Sequence, residues 1–201
     1  ARCFSDFDSF IAAGRLADCA INGTMDRLHV STSLPLLRLG DDLLLEKPVT
    51  SDKEELLALE RTAKACGCRV IVCHVLRYTP YYRRIKEILL SGELGEIRHI
   101  ETAENVGVAH ASVSYIRGKW NNSKACGSSY LLAKCCHDFD MICWLNDKSV
   151  PEKVVSFGGR NYFIPQNAPA GSGTRCLCDC PPAVEARCPY SARKIYLDNN
   201  P

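Results

Sequence analysis

The chain has 201 residues, 46% hydrophobic and 24% charged, with a formal net charge of +2 at pH 7. That length holds one large domain or one and a half small ones. The balanced charge gives no electrostatic case for binding nucleic acid or an acidic membrane surface, and no apolar run approaches the ~20 residues of a membrane-spanning helix. The sequence opens without a charged-then-apolar leader. Of its 13 cysteines, nine lie in apolar stretches such as Val70-Ile71-Val72-Cys73 and Cys135-Cys136. These nine read as small apolar residues, buried and reduced, in a cytoplasmic protein.

In chain order, residues 5–13 predict a short helix stopped by Gly14, and 18–23 a strand with the core Cys19-Ala20-Ile21. Residues 29–39 carry Val30, Leu34 and Leu37 at helical spacing and stop at Gly40. Leu43-Leu44-Leu45 reads as a strand covered by helices, running into Glu46-Lys47-Pro48. A helix follows from Ser51, with Ser51 and Glu54 as a capping box, Leu56, Leu59, Ala63 and Cys66 on one face, and Gly67 as the stop. Residues 70–73 form a third strand ending in His74. Thr79-Pro80 starts a helix with Tyr81, Ile85, Ile88 and Leu89 as its buried stripe and Gly92 as its end.

Strands alternating with helices through short loops predict a parallel sheet with right-handed crossovers. Three polar clusters then converge at its carboxyl edge: Thr24-Met25-Asp26, Glu46-Lys47-Pro48 and His74. Ligands of open α/β sheets bind at that edge.

Beyond Gly95 the period falls to two, predicting a longer strand of a second sheet over 97–104. Residues 107–128 read as an irregular excursion carrying Trp120. Residues 129–145 predict a helix packed through Leu132, Cys136, Phe139 and Cys143, with Lys134, His137 and Met141 on another face. More strand is expected over 150–163, then a Pro-, Gly- and Cys-rich stretch of little regular structure.

Glu46-Lys47-Pro48, the segment from His74 to Pro80, Ser91-Gly92-Glu93-Leu94-Gly95-Glu96-Ile97 and Cys136-His137-Asp138-Phe139-Asp140 occur in consistent order. Together they resemble the glucose–fructose oxidoreductase / inositol dehydrogenase (Gfo/Idh/MocA) family over roughly residues 5–165. The resemblance implies an α/β fold: part of a Rossmann-like parallel sheet over 1–75, then an α+β domain with an open, mostly antiparallel sheet over 76–201. It implies NAD or NADP as cofactor, hydride transfer to or from a sugar, polyol or related small molecule, and a homo-oligomer formed through the open sheet. It also implies that Lys47 lies by the nicotinamide and substrate, often preceding a cis proline, and that His137 is catalytic. Thr24, Met25 and Asp26 match the segment that touches the dinucleotide, with Met and Asp standing where the family has Pro and Asn. Arg77 matches the family's Leu-Arg-Phe/Tyr arginine. His29, Glu46, Pro48, His74 and Trp120 complete the expected cofactor side.

The chemistry suits these residue types. Alcohol oxidation releases a proton as hydride leaves, and a histidine titrates near neutrality; positioned acid–base help is worth roughly 10²–10⁴ in rate. A lysine beside the reacting oxygen stabilises an alkoxide. The alternative for His137 is a structural histidine bonded to Asp138 or Asp140. Many family members carry Asp four residues before this histidine; Ala133 stands there, with Lys134 beside it. Lys134 either assists the proton transfer or lowers the histidine's pKa.

The family's Gly-x-Gly-x-x-Gly loop does not occur in the sequence. The expectation is a chain that begins after the first Rossmann strands, ends before the second sheet is complete, and is poorly stable without a partner. Alternatives to an oxidoreductase are a non-catalytic binding or assembly module and, third, an NAD-dependent glycoside hydrolase. No metal is expected. Cys176, Cys178, Cys180 and Cys188 offer four thiolates for a zinc alternative, at a spacing unlike the usual Cys-x₂-Cys.

Overall fold

Three short strands, β1 (Cys19–Asn22), β2 (Asp42–Leu45) and β3 (Val70–Val72), form a parallel sheet in that order. The structure, a computed structural model, describes residues 2–198. Ile21 pairs with Leu44 and Leu44 with Ile71. The crossovers are α2 (His29–Leu39) and α3 (Lys53–Cys66), preceded by α1 (Phe7–Ala12). A parallel pair requires such a connection, so the alternation read from the sequence becomes the fold.

Burial follows the strand period. Leu43 and Leu45 are 1% and 0% exposed and pack on Val30, Leu36, Leu37 and Leu59. The alternate positions point the other way, leaving Ile21 75% and Ile71 53% exposed. Among the described residues, α2 and α3 therefore cover the Leu43–Leu45 face of the sheet.

Two further helices complete this body. α4 (Pro80–Ser91) starts on Thr79, whose hydroxyl accepts from the Tyr82 amide. The other is α7 (Tyr130–Leu145), capped by Ser129 through the Leu132 amide. Between them in sequence lie the one-turn helices α5 (Val108–Ala111) and α6 (Ser123–Cys126). Lys86 of α4 is buried; its ammonium donates to the Trp144 carbonyl at 2.7 Å and pairs with Asp147 at 2.8 Å. A cation there satisfies the carbonyls that the end of α7 leaves free.

Several sequence expectations are corrected. The cap of α3 is Asp52, which accepts from the Glu55 amide, while the Ser51 hydroxyl donates to the Gly127 carbonyl at 3.0 Å. Leu56 is 48% exposed and Cys66 is exposed, while Leu59 and Ala63 pack on the core. Tyr81 is 70% exposed, whereas Ile85 is half-buried and Lys86 is buried. On α7 the buried residues are Ala133, Cys136 and Met141, and Phe139 and Cys143 are exposed. Residues 97–104 and 150–163 form no strand, because no neighbouring segment offers them a hydrogen-bonding ladder; Val154 and Phe157 are 82% and 94% exposed. No second sheet exists among the described residues. Of the nine cysteines read as buried, only Cys126 and Cys136 are; Cys3, Cys19, Cys66 and Cys143 are exposed.

The chain divides into two compact units. The one just described runs to Asn105 and resumes over Lys119–Val150; the other takes Val106–Gly118 and the residues beyond Val150. In the second unit α5 continues into a wider helical turn over Ser112–Ile116, and α8 (Pro182–Glu185) is a further one-turn helix. Arg117 donates to the Tyr190 carbonyl and lies over the Tyr196 ring, 5.3 Å from its centroid. Tyr162, Phe163 and Tyr190 meet edge to face at 5.0–5.9 Å. Asp179 accepts from the Thr174 amide and hydroxyl and the Arg175 amide, which hold its carboxyl down at about 2.

Candidate active site

At the end of β1, Asn22 turns inward and is 3% exposed. Its amide nitrogen lies 2.9–3.1 Å from the His29 carbonyl and the Thr32 and Ser33 hydroxyls, and its oxygen accepts from the Thr24 hydroxyl at 2.8 Å. One side chain thus fixes both the turn after β1 and the first turn of α2. His29 is 1% exposed, with Nδ1 2.7 Å from the Pro48 carbonyl oxygen and Nε2 2.9 Å from that of Thr24. Both nitrogens face protein backbone, so the ring is a brace between the β1 and β2 ends rather than a free ligand group. Asp26, 7% exposed, accepts from the Trp120 indole at 3.0 Å and from the Ser128 hydroxyl. Gly127 makes that docking possible: a Cβ there would lie 2.7 Å from the Arg27 Cβ, and its φ of +83° is one that glycine adopts freely. Thr24 remains exposed and Met25 half-buried.

At the end of β2, Glu46 is exposed and the Lys47–Pro48 peptide is cis. The half-buried Lys47 ammonium donates to the Ala133 carbonyl of α7 at 2.9 Å. Among the described residues it has no carboxylate partner.

The end of β3 meets the same helix. Arg77 grips both oxygens of Asp140, Nε to Oδ2 at 2.8 Å and an Nη to Oδ1 at 2.5 Å. His74 Nε2 lies 3.7 Å from Asp140 Oδ1, and the His74 ring stands edge-on to His137 with centroids 6.2 Å apart. Both Nδ1 atoms are buried without a hydrogen-bond partner, as is Asp138 Oδ2. Lys134 pairs with Glu104 at 3.3 Å. Burial pushes both histidines below their ordinary 6.5; Lys47, His74 and Lys134 push His137 further down, and Arg77 and Lys47 do the same to His74 against the pull of Asp140. Two imidazoles held below their ordinary pKa and a lysine with no carboxylate partner among the described residues therefore stand together where the ends of β2 and β3 meet α7.

The structure brings Lys47, His74, Arg77, Lys134 and His137 together. It gives His29, Asp26 and Trp120 to scaffolding contacts, and ties Arg77 to Asp140. His137 bonds to neither neighbouring aspartate. Sequence reasoning missed Asn22, Ser128 and Glu104. A polar residue beside Gly23 at a strand end was the available signal for Asn22; nothing local marks the other two. Among the described residues no group of three or more His, Cys, Asp or Glu is placed to hold a metal ion, and Cys176, Cys178, Cys180 and Cys188 are free thiols, so the zinc alternative has no geometry here. No described helix is long and apolar enough to cross a membrane.

Comparison with known proteins points the same way. Residues 82–168 match the model of the GFO/IDH/MocA C-terminal domain. The Bacillus subtilis protein YteT is 30% identical over 193 residues, 93% of this chain and 43% of its own length. An inositol 2-dehydrogenase of Leifsonia xyli is 25% identical over 82% of this chain and 45% of its own. Among solved structures, the myo-inositol 2-dehydrogenase of Lactobacillus plantarum shares the fold with a TM-score of 0.60 at 18% identity, over 72% of this chain and 41% of that one. The WlbA dehydrogenase of Bordetella pertussis, solved with NADH and UDP-GlcNAcA, gives 0.59 at 22%, over the same shares. The chain thus spans less than half the length of the relatives it matches. The family model over residues 82–168, the YteT match and the ordered Glu-Lys-Pro and His-Asp-x-Asp segments agree in relating the chain to the GFO/IDH/MocA family.

Proposed function

We propose that this chain supplies the reacting side of an NAD- or NADP-dependent oxidoreductase acting on a sugar, polyol or related small molecule. The observation that carries the reading is the meeting of Lys47 and His137. Lys47 reaches α7 one turn before His137 and its charge depresses the histidine's pKa, although the two lie on separate elements.

The orphaned polar atoms fit a nicotinamide and an alcohol: His74 and His137 Nδ1 and the two N–H bonds of Lys47 not given to Ala133 await partners. Glu46, Lys47 and His74 are the cofactor-side residues that keep groups available. When bound, the dinucleotide supplies the hydride acceptor. Lys47 donates to the substrate oxygen and favours its deprotonated form. His137, held neutral by burial and nearby cations, takes the proton at a ring nitrogen. Lys134 lowers its proton affinity from one turn away. Residues 1–75 serve the cofactor in this reading and 76–201 the substrate. The free thiols support a reducing, cytoplasmic setting, and the exposed apolar sheet residues support self-association.

The test is formation of reduced nicotinamide with NAD⁺ or NADP⁺ across a panel of inositols, sugars and sugar acids, using the protein and its Lys47→Ala and His137→Ala variants. The expected loss on either substitution is about 10²–10⁴ in kcat/KM. Turnover that survives both, or no turnover with any panel member, contradicts the reading. Consumption of a glycoside without net reduced nicotinamide would indicate a hydrolase instead.

A further inference from the structure

Asp140 sits three residues after His137 on α7, on the face where a carboxylate meets a histidine one turn away. Instead both its oxygens are taken by Arg77, from the turn after β3. We propose that Arg77 is a positioning residue: its two-point grip on Asp140 withholds that carboxylate from His74, leaving the His74 ring edge-on to His137.

The Asp140 side chain is 8% exposed. A buried carboxylate stripped of its partner takes a proton or draws a cation to it. The nearest candidate is His74, at 3.7 Å. Were His74 to become an imidazolium, a new positive charge would stand beside His137, which already faces Lys47 and Lys134. Arg77 and Lys47 act on His74 besides Asp140, and on His137 the opposing charge is Asp138. Arg77 therefore sets the charge of His137's neighbour without touching His137. The functional meaning of the arrangement rests on His137 as proton acceptor, but its test needs neither substrate nor cofactor.

The experiment is histidine C2–H titration by NMR on the full chain, with assignments from single His substitutions. In the unaltered protein both His74 and His137 titrate below 6.5. In Arg77→Gln the His74 midpoint rises by about one unit or more while that of His137 does not rise, and adding Asp140→Asn abolishes the rise. If Arg77→Gln does not fold, Arg77→Lys, which keeps the charge and loses the planar fork, moves His74 in the same direction by less. A folded Arg77 variant with an unmoved His74 midpoint overturns the proposal, as does a rise that persists without the Asp140 carboxylate. Loss of thermal stability alone, with unchanged midpoints, assigns Arg77 a purely structural role.

Discussion

His74 and His137 carry their burial cost as a pH dependence. Both have folded pKa values below the ordinary 6.5, so the unfolded chain binds more protons than the folded one at mildly acid pH. Stability from these groups is complete above about pH 6.5 and falls as pH drops through their folded values. Urea midpoints measured from pH 7.5 to 5 should decline, and the decline should shrink in His74→Asn and His137→Asn variants. Asp26 offers a second check, as the buried acceptor for the Trp120 indole and the Ser128 hydroxyl. Asp26→Ala should cost about 2–3 kcal/mol and alter Trp120 fluorescence; an unchanged urea midpoint would contradict its bracing role. Lys47, His74 and Arg77 stood out because they follow strand ends, and His137 because it sits in an ordered motif on a helix. The scaffolding role of His29 was not, since a histidine facing two backbone carbonyls looks in sequence like one facing a ligand.

Elements were readable where a local rule decided them. The helices ending at Gly40, Gly67 and Gly92 and the three apolar strands follow from capping and period, and their parallel order from alternation. The helix α7 was readable as a helix but not in its facing. Apolar spacing favoured Phe139 and Cys143, whereas the contacts of Lys47 with Ala133 and of Arg77 with Asp140 set which side turns inward. Residues 97–104 alternate as a strand does, yet alternation specifies a face and not a partner. Lys86 likewise escaped notice in a stripe of apolar residues, although it joins α4 to the end of α7. Lys86→Met should lower stability by about 1.5–3 kcal/mol in urea unfolding and perturb the amide signals of residues 142–147; a neutral substitution would mean that the Trp144 carbonyl is satisfied without it.

At the scale of the molecule, the sheet presents Ile21 and Ile71 on either side of Leu44, opposite the face covered by α2 and α3. Alongside β1, Phe7, Phe10, Leu16 and Leu36 line a groove of about 460 Å³. Exposed apolar surface of this kind, on a parallel sheet whose strands are ordinarily covered on both faces, favours association. Sedimentation velocity should show a concentration-dependent shift to larger species, reduced in an Ile21→Lys, Ile71→Lys variant; a monomer at all concentrations would contradict this.

The proposed nicotinamide-facing site joins the three strand ends to α7. Its most direct test is titration of the isotopically labelled chain with NADH and NADPH, followed by amide and histidine chemical shifts. Perturbations should gather at Thr24, Glu46–Pro48, His74 and Ala133–His137, and weaken in Lys47→Ala. Perturbations elsewhere with these residues silent, or no response to either dinucleotide, would contradict it.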